Sequence, residues 1–294
     1  MTRATDTPAL PPSLGGQAVI EGVMIRGSRG MAVCVRKPDG ELACRTELNT
    51  ESGPLRHIPL ARGISALSEQ LGQGMRAMVW SAQIAAGKEP EEPQPGEVRT
   101  SAAISLGMAA SVFLLAPAVA SRKLEGKVAR PRVAALIEGV FRMGMLVSYL
   151  RVLGAVPQAR RLFGYHGAEH RAIQAYEAGQ PLEIESLHKF PNAHIRCGTS
   201  FLLTTMVISS VLYAAIGPQP MGKRLLTRAL LTPVIAGMSY EAIRLASSSN
   251  AGIFRALFRP NMALQSLTTR DPDEPQMEVA LAAVRAALAL HQSA

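Results

Sequence analysis

Two long stretches of this chain carry no charge, one from Thr100 to Ser121 (22 residues) and one from Cys197 to Gly222 (26 residues). About 20 consecutive apolar residues span the hydrocarbon core of a bilayer as a helix, so these runs constrain the fold more than any other feature. The first contains Ile104, Leu106, Met108, Val112, Phe113, Leu114 and Leu115, with Pro117 as a kink. The second centres on Phe201 to Ile216 and ends at the turn Gly217-Pro218-Gln219-Pro220. Two weaker spans fit beside them. Val133 to Leu153 holds Glu138 and Arg142, four apart with the acid first, the favourable order for a helical ion pair. Leu225 to Ile243 carries Arg228, Pro233 and Glu241. Charges at membrane depth face a bundle interior or a cavity. The expected fold class is therefore mainly α: a polytopic membrane protein with about four transmembrane helices, plus a small N-terminal β-rich unit.

The expected order along the chain starts with a disordered tail over 1–14, which has no apolar core and is no secretory signal peptide. A β-rich unit over 15–57 follows. It begins with the glycine-dense, β-branched stretch Gly15 to Gly27, read as a turn-rich strand because no phosphate-loop pattern is present. Residues 31–35 and 41–46 form a hairpin around Asp39-Gly40, a strong turn signal. A two-residue loop there pairs Val35 with Cys44. That sets Cys34 and Cys44 on opposite faces, so no disulfide is expected and the thiols are read as reduced. An amphipathic helix over 64–86 and a Pro/Glu linker make up 58–98. The membrane bundle covers 99–245 with a polar motif loop at 157–198, and a C-terminal amphipathic segment covers 246–294.

The net charge is +9. No nucleic-acid motif accompanies it, so the expected partner is the lipid bilayer, with a homo-oligomer as a further partner and no nucleic acid. The polar N-terminal unit favours a cytoplasmic N-terminus and a cytoplasmic C-terminus. The basic 122–132 segment then conflicts with the positive-inside rule if the first span crosses.

The chemistry concentrates in Tyr165-His166-Gly167-Ala168-Glu169-His170. The spacing H-x-x-E-H puts both imidazoles on one face of a helix with the glutamate beside them. The inverted zincins use the same order, two histidines for zinc and a glutamate that activates water. Glu177, eleven residues after His166, returns to that face, and Gly179-Gln180-Pro181 should stop the helix. Four of the six histidines, His166, His170, His188 and His194, lie within 29 residues, and Cys197 follows.

Nearly the whole chain resembles the bacterial YqhQ-like family, domain of unknown function 1385. The likeness is carried by Gly15 to Met24, Ile58-Pro59, Arg62-Gly63, Leu136-Ile137-Glu138-Gly139, Tyr165 to His170, Tyr176-Glu177, Cys197 to Phe201, Pro233 to Glu241 and Leu264 to Thr269. Ile195 stands where that family's motif usually has proline. The resemblance implies a multi-pass protein of the bacterial inner membrane with a metal site, and no substrate.

The leading expectation is a metal-dependent hydrolase at the membrane edge. His166 and His170 bind a divalent ion, zinc by ligand type. The third ligand comes from His194, Glu177 or Glu241, with His194 favoured. Glu169 acts as general base, and Arg196 or Arg171 stabilises a developing anion. One rival is a scaffold or assembly factor with a structural metal, including Cys197 in a closed site, or with no metal. Another is a transporter subunit using Glu138, Arg142 and Glu241.

Overall fold

The computed structural model describes residues 13–49, 58–89, 95–111, 119, 131–217, 219–248 and 252–292. Residues 1–12 of the expected tail, part of the linker and most of the second half of the first apolar run lie outside those residues, and Leu14, expected in the tail, is buried in the core.

The N-terminal unit is a four-stranded antiparallel meander: β1 (Gly15–Val19), β2 (Gly22–Arg26), β3 (Gly30–Arg36) and β4 (Leu42–Leu48), in that spatial order. The stretch expected as one turn-rich strand is thus two, reversed at Ile20-Glu21, where Glu21 takes a positive φ of 52°. Strand side chains alternate between faces, and here both faces are covered. Val23, Ile25, Ala32 and Cys34 pack one way, and Val19, Met24, Met31, Val33 and Val35 the other.

The expected hairpin register is off by one. Gly40 N–H donates to Lys37 O and Lys37 N–H to Glu41 O, with Gly40 at φ 91°. The loop is therefore Pro38-Asp39-Gly40, three residues closing with a left-handed glycine. That extra residue pairs Cys34 with Cys44, Cα atoms 4.2 Å apart, and the two form a disulfide. The expectation of separate thiols is corrected by this one position.

Helix α1 (Ala61–Ala85) lays Ala77, Trp80 and Ile84 against one sheet face. After α2 (Pro95–Ala110) come α3 (Pro131–Leu153) and α4 (Pro157–Glu177), which meet at a 101° bend at residues 154–156. Pro157 suits the first turn of α4, where its missing N–H costs nothing. Gly179, at φ 64°, lies just past the end of α4. Then follow the short α5 (Ile184–Leu187), α6 (Gly198–Ile216), α7 (Met221–Ser248, with Pro233 inside), α8 (Gly252–Leu257), α9 (Arg259–Gln265) and α10 (Glu274–Gln292). Helices α4 and α10 cover the second sheet face through Tyr165, Ala168, Ala172, Met277, Ala280 and Val284.

Helices α3, α6 and α9 share a separate apolar cluster of Leu146, Leu150, Leu203, Met206 and Leu264. Deeper among α3, α6 and α7, the Glu138–Arg142 pair forms as expected at 2.8 Å. Arg228 joins it at 2.6 Å, and Ser209 accepts from Arg142. All three charged side chains are more than nine-tenths buried. Among the described residues α6 alone is long and apolar enough to cross a membrane, and the bent pair α3–α4 makes a second if taken as one span. The molecule is thus mainly helical with a small sheet and one or two candidate spans.

Candidate metal centre

The middle of α4 is built to bring foreign backbone close. A Cβ at Gly167 would overlap the carbonyl oxygen of Arg270. Because residue 167 has none, the segment after α9 lies directly on the helix, and Arg270 N–H donates to Phe163 O at 2.9 Å. This contact places Thr268 O 2.8 Å from His166 Nδ1. One turn on, His170 Nδ1 meets Asn192 O at 2.5 Å. Asn192 is fixed in turn, accepting from Arg171 at 2.7 Å and donating to Asp271 at 2.9 Å.

A carbonyl can only accept, so each Nδ1 carries the proton and each Nε2 presents a lone pair. Imidazole ligands of metals are oriented in this way. The two rings stand 4.4 Å apart, centre to centre. Cys197 Sγ lies 3.2 Å from His166 Nε2. Among the described residues His166, His170 and Cys197 bring one donor atom each within 4.8 Å of one another. Two neutral imidazoles and a sulfur fit a borderline-soft divalent ion.

Cys197 arrives by a different route from the histidines. It caps the N-terminus of α6, its sulfur accepting from Thr199 N–H at 3.4 Å. The loop before it is clamped by Gln265, fully buried, which accepts from His194 N–H and donates to His194 O and Ser200 Oγ, all at 2.8–2.9 Å.

Glu169 is buried beside the donors, its Oε2 3.5 Å from His170 Nε2. A Cβ at Gly16 of β1 would overlap its carboxylate, so glycine there makes the room. Burial pushes the Glu169 carboxyl above its usual range, against the pull of His166, His194 and Arg196. Burial also holds His170 and His194 below the usual imidazole value.

The other sequence candidates fall nearby or elsewhere. His194 has its ring 5.7 Å from that of His170, and its Nε2 lies 3.4 Å from Glu177 Oε2. Glu177, exposed, also pairs with Arg196, which reaches Leu14 O at 3.4 Å. Arg171 is engaged with Asn192 and Asp271, at 2.6 Å to the latter. Glu241 is remote, gripping Arg62 through two bonds of 2.5–2.6 Å. Sequence reasoning missed Thr268, Asn192 and Gln265 as orienting groups. The first two act through backbone carbonyls, which leave no trace in side-chain identity.

The family model described as protein of unknown function (DUF1385) matches residues 58–290. A Bacillus subtilis (strain 168) protein named "Uncharacterized protein YqhQ" is 30% identical over 290 residues, covering 92% of this chain and 91% of that protein. No solved structure matches significantly.

Proposed function

We propose that this chain, which belongs to the DUF1385 family, is a membrane-embedded, metal-dependent hydrolase. The observation that carries the reading is the convergence of His166 Nε2, His170 Nε2 and Cys197 Sγ, with both imidazoles pinned through Nδ1. These three residues would hold a divalent cation, zinc by donor type. Three protein ligands leave a position open, the pattern of catalytic rather than structural sites. A cation there supplies Lewis acidity toward water or a carbonyl. Glu169, buried at the cluster, takes and returns the proton of a hydrolytic step. Arg196, tied to Leu14 O and Glu177, holds the rim of the site.

Membrane embedding is supported by where apolar surface is exposed. Val140, Phe141, Val207, Val211, Leu226 and Leu230 of α3, α6 and α7 are all exposed, while the apolar side chains of α4 and α10 are largely buried. Large apolar side chains exposed on all three of these helices suit lipid. The four-span arrangement adds the run at 100–121. Cys197 caps α6, and with α6 read as a span the proposed centre lies at the membrane edge. The basic residues Arg160, Arg161 and Arg171 of α4 and Arg196 just before α6 favour a cytoplasmic site.

Purified protein is expected to carry about one divalent transition metal per chain, lost in a His166→Ala/His170→Ala double variant. Glu169→Gln is expected to keep the metal and fail to complement a deletion strain. Equal trace metal in wild type and double variant removes the metal reading, and full complementation by Glu169→Gln removes the proton role. A closed structural site is the second reading, favoured by the nearness of His194 to His170. Cobalt-substituted protein separates the two: azide shifts the visible spectrum of an open site and leaves a closed one unchanged.

A further inference from the structure

The edge strand β4 leaves room between the sheet and α1. Cross-strand partners share a face of a sheet, and here Val33 pairs with Arg45 and Met31 with Glu47. On the face that α1 covers, β3 presents apolar side chains, whereas β4 presents two charged ones and the small Ala43. Long charged side chains carry their ends to water, so β4 supplies no large apolar group to fill the space under the helix. The result is a cavity of about 220 Å³. Met31 and Val33 of β3 line it, with Ala77 and Trp80 of α1, and all four are more than nine-tenths buried.

The rim of the cavity is charged, formed by Arg45, Glu47 and Arg76. Glu47 is shared by two guanidinium groups, its Oε1 3.1 Å from Arg45 and its Oε2 3.7 Å from Arg76. The second distance is too long for a hydrogen bond. The Arg76 side chain is 46% exposed and makes no other ion pair among the described residues. A guanidinium has five N–H donors, so Arg76 has a fork to offer an anion at the mouth. The cavity is separate from the donor cluster. Strand β3 sends Met31 and Val33 to this face and Ala32 and Cys34 to the other, where α4 and α10 pack.

We propose that this cavity binds a small aromatic carboxylate, its ring among Met31, Val33, Ala77 and Trp80 and its acid group on Arg76. Volume sets the size. A cavity of about 150 Å³ holds benzene, so about 220 Å³ takes one ring with a short acidic group and excludes a long acyl chain. Trp80 favours an aromatic ring, because offset and edge-to-face ring pairs add to plain apolar burial. Arg76 favours a carboxylate, which its fork grips through two parallel N–H bonds. Glu47 at the same rim repels a second acid group, so the ligand is a monoanion. The site uses no step of the hydrolase reading and stands or falls apart from it.

Trp80 is the only tryptophan in the chain, so its fluorescence reports on this cavity. Benzoate added to the full-length protein in lipid nanodiscs is expected to change Trp80 emission saturably, with half-saturation at roughly 1 mM or below. Benzyl alcohol keeps the ring without the charge, and acetate keeps the charge without the ring. Each is expected to bind at least about tenfold more weakly than benzoate. Arg76→Gln, at an exposed position, is expected to weaken benzoate about tenfold or more and to leave benzyl alcohol unchanged. Ala77→Leu puts a larger side chain into the cavity and is expected to abolish benzoate binding, with metal content as in wild type. The absence of a saturable change with benzoate, or equal binding of benzyl alcohol, overturns the proposal. So does benzoate binding that neither substitution alters. Tighter binding of decanoate than of benzoate also overturns it, by giving the cavity to an acyl chain. Should Ala77→Leu fail to fold, Arg76→Gln and the two control ligands decide.

Discussion

Glu169 is held by opposing forces. Burial disfavours its charge, and Arg196 with the nearby imidazoles opposes this, but burial is the larger cause and the folded pKa stands above the usual 4.5. A raised folded pKa means stability that is present below pH 4.5 and lost as pH climbs through the folded value. Metal-free Glu169→Gln is therefore expected to melt higher than metal-free wild type at pH 7.5, with no gain at pH 4.5. A gain of equal size at both values contradicts the buried-carboxyl account. The histidines act in the other sense. His170 and His194 are held below 6.5 by burial, so below pH 6.5 the unfolded chain binds more protons and the fold weakens. The proposed metal binding is expected to weaken at acid pH as well, because ligation needs neutral rings.

At the scale of elements, the centre depends on three pieces meeting: α4, the start of α6 and the segment after α9. Gly167 controls one of these contacts. A Gly167→Ala variant must push Arg270 off α4 and carry Thr268 O away from His166. The expected cost is about 1–3 kcal/mol of stability, the usual range for overpacking. Metal affinity should fall roughly 10- to 100-fold, as when a ligand's orienting partner is lost. Calorimetry with zinc measures both, and unchanged affinity would show that Thr268 does not orient His166. Helix periodicity alone was enough to place His166, His170 and Glu169 on adjoining faces of α4, and turn residues marked its end. The approach of Cys197 was not legible in that way. It depends on Gln265 clamping a loop 71 residues away in sequence. The β3–β4 register was misread for a local reason, since a left-handed Gly40 adds one residue to the loop. The C-terminal segment was legible as amphipathic, its last stretch rich in Ala, Leu and Val. That it would floor the sheet, with Met277 and Ala280 fully buried, follows only from long-range packing.

For the molecule as a whole, the sheet, α4, α10 and the His166–His170–Cys197 cluster lie together, and α3, α6 and α7 carry the exposed apolar side chains. Buried charge ties those three helices together. Glu138 receives both Arg142 and Arg228 across two helices. Removing one partner of a buried ion pair costs about 3–5 kcal/mol, because the other charge is left behind. Glu138→Ala is expected to lose stability on that scale in detergent, while a melting temperature within a degree of wild type would show that these groups are solvated. The pair was readable from its four-residue spacing. Arg228, contributed by a helix 90 residues away, was not.

The central claim is that two imidazoles and one thiolate hold a metal ion at the membrane edge. X-ray absorption at the zinc edge of purified protein tests it directly. The account predicts one sulfur scatterer at about 2.3 Å and two imidazole nitrogens at about 2.0–2.1 Å, with the sulfur lost in Cys197→Ala. A shell of nitrogen and oxygen alone, unchanged by that substitution, would contradict it.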